Sequence, residues 1–147
     1  MQPENFDLHY VGDDGKQHRP VIIHRVVYGS LERFLGILVE HYQGKFPVWL
    51  SPLQVMVLPI SDENSKYAEA VLNKLKESGL RTELDQESST IQYKIRNAQL
   101  QKVPYMLVVV KKEEENKTVA VRSRDGKVNY GVKLEDFVEN LRKEILN

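Results

Sequence analysis

The sequence predicts an α/β fold in which a mainly parallel sheet is covered by helices on both faces. Two observations carry that prediction. Residues 105–110 read Tyr-Met-Leu-Val-Val-Val, a continuous apolar run of strand length with no alternation, as in a strand buried on both sides. After Pro52, short β-rich runs alternate with helical patterns in the order β-α-β-α-β-β-α, and such alternation places crossover helices over a sheet.

Taken in order, residues 6–11 and 19–28 flank Gly12-Asp13-Asp14-Gly15, a turn composition that predicts a β-hairpin, with Pro20 near the start of the second strand. Gly29-Ser30 changes the period: Leu31, Phe34, Leu35, Leu38, Val39 and Tyr42 recur at three- and four-residue steps. They predict an amphipathic helix N-capped by Ser30 and closed before Gly44. Residues 46–52 carry two prolines and no period, which reads as an extended linker between residues 1–45 and a domain of residues 53–147. That domain begins with a strand at 54–60, a helix at 64–78 stopped by Gly79, and a short strand at 81–84. Ile91, Ile95 and Ala98 form the apolar stripe of a polar helix that ends near Gln101, because Pro104 biases Val103 away from helical backbone. Arg96 points away from that stripe. The charged run 111–117 reads as a turn, 118–122 as a strand, and 133–145 as a closing helix with Leu134, Phe137, Val138, Leu141 and Ile145 inward.

A chain of 147 residues, 41% hydrophobic, can bury one good core. It contains no cysteine, which excludes a disulfide framework, a thiolate metal site and a cysteine nucleophile within it; any metal must use His, Asp or Glu. No apolar run approaches the roughly 18 to 20 residues of a membrane span, and the first residues lack the basic start and apolar middle of a secretory signal, so a cytoplasmic location is expected. Net charge is zero overall but unevenly spread. Lys plus Arg minus Asp plus Glu is 5 − 6 = −1 for residues 1–52, 4 − 7 = −3 for 53–90, 10 − 4 = +6 for 91–133 and 2 − 4 = −2 thereafter. A local basic patch in a neutral chain fits a polyanion docked at one place with its specificity set by shape.

Four phrases, RPVIIHRVVYGSLERFLGILVEHY, FPVWLSPLQV, YKIRNAQLQKVPYMLVVV and TVAVRSRDG, together resemble the bacterial threonyl-tRNA synthetase family, over essentially the whole chain. The resemblance implies the end of a class II catalytic domain, a β-hairpin and helix, followed by the anticodon-binding domain, a mixed, mainly parallel five-stranded sheet flanked by helices. Gly29-Ser30-Leu31-Glu32-Arg33 is similar to motif 3, which implies that Ser30 and Arg33 meet the triphosphate of ATP with its magnesium; a guanidinium in a first helical turn suits that chemistry. His24 matches the last of the family's three zinc ligands, whose two partners are absent here. For the tRNA, the family pattern implies that Arg96, Glu113, on a loop after the buried strand, and Arg122 face the anticodon. There the family reads a central guanine and the uridine after it. An arginine can pair bidentately with guanine, and a carboxylate can accept from an unstacked base. A family asparagine that contacts the anticodon is replaced by Ser88, and Val110 stands where glycine is usual. The expected function is tRNA(Thr) anticodon recognition within a threonine–tRNA ligase that activates threonine with ATP. The alternative is a stand-alone RNA-binding or regulatory paralogue. The parent is expected to be a homodimer holding zinc; this chain alone is expected to be monomeric, inactive as a ligase and without bound cofactor.

Overall fold

The computed structural model describes residues 2–146. The chain divides into two compact units between Ile37 and Leu38. The first contains a short helix α1 (Gln2–Asn5) and a hairpin of β1 (Tyr10–Val11) with β2 (Gln17–His18), antiparallel, Tyr10 opposite His18. The hairpin is shorter than predicted, because residues 19–28 form no strand and leave Val21, Ile23, Val26, Val27 and Tyr28 exposed. β-propensity reports fit to a pleated, half-buried surface, and among the described residues no third strand supplies one. Helix α2 (Leu31–Tyr42) begins as predicted, with the Arg33 amide donating to Ser30 Oγ at 3.2 Å, and is followed by Gln43 and Gly44 in left-handed backbone. None of its residues is buried, so its apolar stripe belongs to no core formed by the described residues.

The second unit contains β3 (Val55–Pro59), α3 (Ser65–Glu77), β4 (Thr82–Leu84), α4 (Ile91–Leu100), β5 (Tyr105–Val109), α5 (Lys111–Asn116), β6 (Thr118–Ser123), β7 (Val128–Lys133) and α6 (Leu134–Leu146). The strands form one mixed five-stranded sheet in the order β4-β3-β5-β6-β7. β3 runs parallel to β4 and β5, while the β5–β6 and β6–β7 pairs are antiparallel. Strand β7 supplies the fifth strand that the apolar pattern alone did not locate, and α5 replaces the predicted turn.

Alternation along β3 shows why its sequence is apolar throughout. Val55 and Val57 join Ala68, Val71 and Leu75 of α3 and Leu134, Phe137 and Leu141 of α6; Met56 and Leu58 join Ala98 of α4 on the other face. Helix α4 starts at Thr90, whose hydroxyl accepts from the Tyr93 amide, and stops ahead of Pro104 as predicted.

Residues 46–52 are a fastened turn and not an extended linker. Val48 is buried in the α3/α6 core, and the Gln54 side chain donates to the Val48 carbonyl at 2.9 Å while accepting from the Arg81 amide at 3.0 Å. The Arg81 guanidinium donates to the carbonyls of Ser51 at 2.9 Å and Trp49 at 2.7 Å, and Arg124 donates to Phe46 at 2.7 Å. A backbone stretch without secondary structure must find acceptor and donor partners elsewhere, and here two arginines and one glutamine provide them.

Tyr105 gives this unit an alkaline pH dependence. Burial, together with donation of its hydroxyl to Glu144 Oε2 at 2.8 Å, pushes its phenol up to about 12. The unfolded chain releases that proton near 10 and the folded chain near 12, so the contribution is complete below pH 10 and is lost as pH rises through 12. Urea midpoints measured from pH 9 to 12 should therefore fall more steeply for the wild type than for Tyr105→Phe; parallel curves would assign the loss to other groups.

Candidate nucleic-acid interface

The two halves of the sheet are covered differently on the α4 side. Met56 and Leu58 of β3, with Met106 of β5, pack beneath Ala98 of α4. On β6, Val119 and Val121 point into the opposite α3/α6 core, which turns Ala120 and Arg122 toward the α4 side. Arg122 lies opposite Met106 in the β5–β6 register, at the border where helical cover gives way to open sheet. Its Nε is buried and has no hydrogen-bond partner among the described residues. Arg96 is exposed on α4, as its spacing from Ile95 and Ala98 predicted.

Glu113 is placed differently from its expectation. It sits on α5, a helix rather than a loop, and is only 7% exposed, with Oε2 lacking a hydrogen-bond partner among the described residues. The helix is pinned by Asn64 Nδ2 donating to Glu114 Oε2 at 2.9 Å, a contact across fifty positions that no local pattern announces. Glu113 lines an open cleft of about 410 Å³ with Val110, Lys112, Asn116, Thr118, Tyr130 and Gly131. Thr118 and Arg122 are four residues apart on one strand, roughly 14 Å at strand rise. Glu113 and Arg122 are thus near opposite ends of β6 and do not form one cluster.

Ser88 belongs to another neighbourhood. It is exposed in the loop after β4 and lines a cleft of about 400 Å³ with Pro59, Asp85 and Lys94. The cleft lies beyond the carboxyl ends of β3 and β4, whose following helices α3 and α4 go to opposite faces, the usual place for a ligand crevice in an open sheet. Lys94, which the sequence reading passed over, is 5% exposed; its ammonium donates to the carbonyls of Pro59 and Asp85, both at 3.3 Å, with Asp85 Oδ1 at 3.9 Å. A signal for it existed, since residue 94 is three positions after Ile91 and four before Ala98, on the apolar stripe itself.

In the first unit, Ser30 caps α2 and Arg33 is exposed in its first turn, while His24 is exposed in the segment without regular structure. Among the described residues, no three His, Asp or Glu side chains are grouped to hold a metal. No helix among them is long and apolar enough to cross a membrane.

Residues 54–144 match the family model described as an anticodon binding domain. Threonine–tRNA ligase of Acetivibrio thermocellus is 58% identical over 148 aligned positions, covering 100% of this chain and 23% of that protein. The enzyme of Desulfatibacillum aliphaticivorans is 55% identical over 143, covering 97% and 22%. The crystal structure of the RNA binding domain of threonyl-tRNA synthetase from Cryptosporidium parvum aligns with a TM-score of 0.74 at 37% identity, over 97% of this chain and 36% of that one. Prolyl-tRNA synthetase of the same organism, at 17% identity, a TM-score of 0.71 and coverage of 98% and 33%, shares the fold. The chain thus spans less than a quarter of the length of these threonine–tRNA ligases. Matched by that family model from Gln54 to Glu144 and aligned along its length with threonine–tRNA ligases, the chain belongs to the anticodon binding domain family.

Proposed function

We propose that residues 53–147 are the domain of a longer threonine–tRNA ligase that binds the anticodon loop of tRNA(Thr), through Arg96 and Arg122 on the α4 side of the sheet, Glu113 at the far end of β6 and Ser88 in the loop after β4. The observation that carries this reading is that, of the five buried side-chain polar atoms without a hydrogen-bond partner among the described residues, the two on charged side chains are Arg122 Nε and Glu113 Oε2. An unmet buried donor or acceptor costs about 1–3 kcal/mol, so such groups are retained where an outside molecule completes them. Unpaired bases carry both acceptors and donors on their edges. The parent would activate threonine with ATP and transfer it to tRNA. Within it, Ser30 and Arg33 would meet the nucleotide with its magnesium, and His24 would be one zinc ligand beside partners from elsewhere in the protein. A stand-alone paralogue is not favoured, since the relatives above are ligases.

Binding of wild type, Arg96→Ala and Arg122→Ala to a threonine anticodon stem-loop, and to one with its central guanine replaced, tests this at two salt concentrations. An arginine that reads a base is expected to cost about 1–3 kcal/mol on removal and to narrow the preference between the two RNAs. One that touches only phosphate weakens both alike and flattens the salt dependence. Equal binding of both RNAs by wild type, with a ratio neither substitution changes, would overturn the reading.

A further inference from the structure

Tyr130 is the largest side chain in the Glu113 cleft, and neither the family resemblance nor the apolar pattern singles it out. It stands on the edge strand β7 at 76% exposure. Among the described residues it makes no hydrogen bond and no ring contact. Its position is set by an irregularity in the sheet. Val119 pairs with Val132 and Val121 with Asn129, so Tyr130 and Gly131 together face the single residue Ala120. Gly131 takes φ +65, a conformation that glycine adopts without cost, and the bulge re-aims the neighbouring side chain. The ring then lines the cleft together with Lys112, Asn116 and Glu113, a carboxylate 93% buried whose Oε2 is enclosed and has no hydrogen-bond partner among the described residues.

An exposed aromatic face beside a buried acceptor is the pairing that a single unstacked nucleobase requires. The ring replaces the stacking lost when the base leaves its neighbours, and the carboxylate accepts from an amino or imino group on the base edge. Lys112 adds a cation near the backbone that must accompany the base. From this geometry we propose that Tyr130 is a stacking platform for one unpaired RNA base whose hydrogen-bonding edge faces Glu113. The proposal rests on the reading of this domain as an RNA binder and adds the residue that would hold the base in place. The sequence offered one cue, an aromatic directly before a glycine inside the +6 segment.

The test compares wild type, Tyr130→Phe and Tyr130→Ala on the threonine anticodon stem-loop and on its central-base variant, at two salt concentrations, with the fold of each protein checked by circular dichroism. Stacking needs the ring and not the hydroxyl, so Tyr130→Phe should bind within about twofold of wild type, and Tyr130→Ala about tenfold or more weakly. Because no charge is removed, the salt slope should be the same for all three. A Tyr130→Ala protein that binds like wild type overturns the platform while leaving anticodon reading intact. Loss with both alanine and phenylalanine also overturns it, because the hydroxyl would then be the contact. If wild type fails to distinguish the two RNAs and Tyr130→Ala still weakens both, the platform stands and the anticodon reading fails. Wild type that binds neither RNA overturns both.

Discussion

Lys94→Ala is expected to destabilise the second unit by about 3–5 kcal/mol, the loss typical of breaking one side of a buried charged pair. The ammonium is almost fully enclosed and holds the Pro59 carbonyl at the end of β3 to the Asp85 carbonyl at the start of the following loop. Truncation leaves both acceptors unmet and leaves the Asp85 carboxylate, with its side chain 11% exposed, without its cation. Asp85→Ala should cost clearly less, since its oxygen is 3.9 Å from Nζ and the lysine keeps both carbonyls. Urea unfolding followed by the fluorescence of Trp49, the only tryptophan in the chain, reports on this unit. A loss under about 1 kcal/mol for Lys94→Ala would mean that the loop simply turns these groups to water. The same loop carries Ser88, so its tether also fixes where that residue stands.

Leu107→Ala is expected to cost roughly 2–5 kcal/mol, toward the upper end. Leu107 has no exposed surface, lies on the central strand β5 between Val57 and Val121, and belongs to the core shared with α3 and α6. A cavity enclosed by two helices and three strands has little room to collapse, and it is the uncollapsed volume that sets the cost. The urea midpoint should drop with an unchanged denaturant slope. Leu100→Ala, on the exposed side of α4, should stay within about 0.5 kcal/mol and serves as the comparison of equal chemistry. Similar losses at the two positions would contradict the packing described here.

Legibility in the sequence followed burial. β3 and β5 are covered on both faces and announce themselves as apolar runs; α3, α4 and α6 each bury one stripe and keep the helical period. β7 reads Val-Asn-Tyr-Gly-Val-Lys, an edge strand with its middle exposed, and nothing in that composition separates it from a loop. α5 is Lys-Lys-Glu-Glu-Glu-Asn and has no apolar stripe; its helix is secured by the Asn64 contact and by enclosure of Glu113. Residues 19–28 erred in the other direction, because strong β-formers without a partner strand do not make a sheet. The site divides the same way. Exposure of Arg96 follows from helical spacing alone, whereas the burial of Glu113 and Lys94 and the aim of Tyr130 depend on long-range packing that a one-dimensional pattern does not encode.

The bulge on β7 also bears on self-association. An open sheet ends in two rows of unpaired backbone groups, and a long flat edge would invite a strand from a second copy of the chain. In this sheet one edge is β4, three residues long, which offers too few groups to template a partner. The other edge, β7, is six residues long but is broken in register at its middle, where Tyr130 and Gly131 crowd opposite Ala120. An incoming strand would have to copy that irregularity to pair along the whole length, so the distortion that aims a side chain outward also guards the sheet against edge-to-edge aggregation.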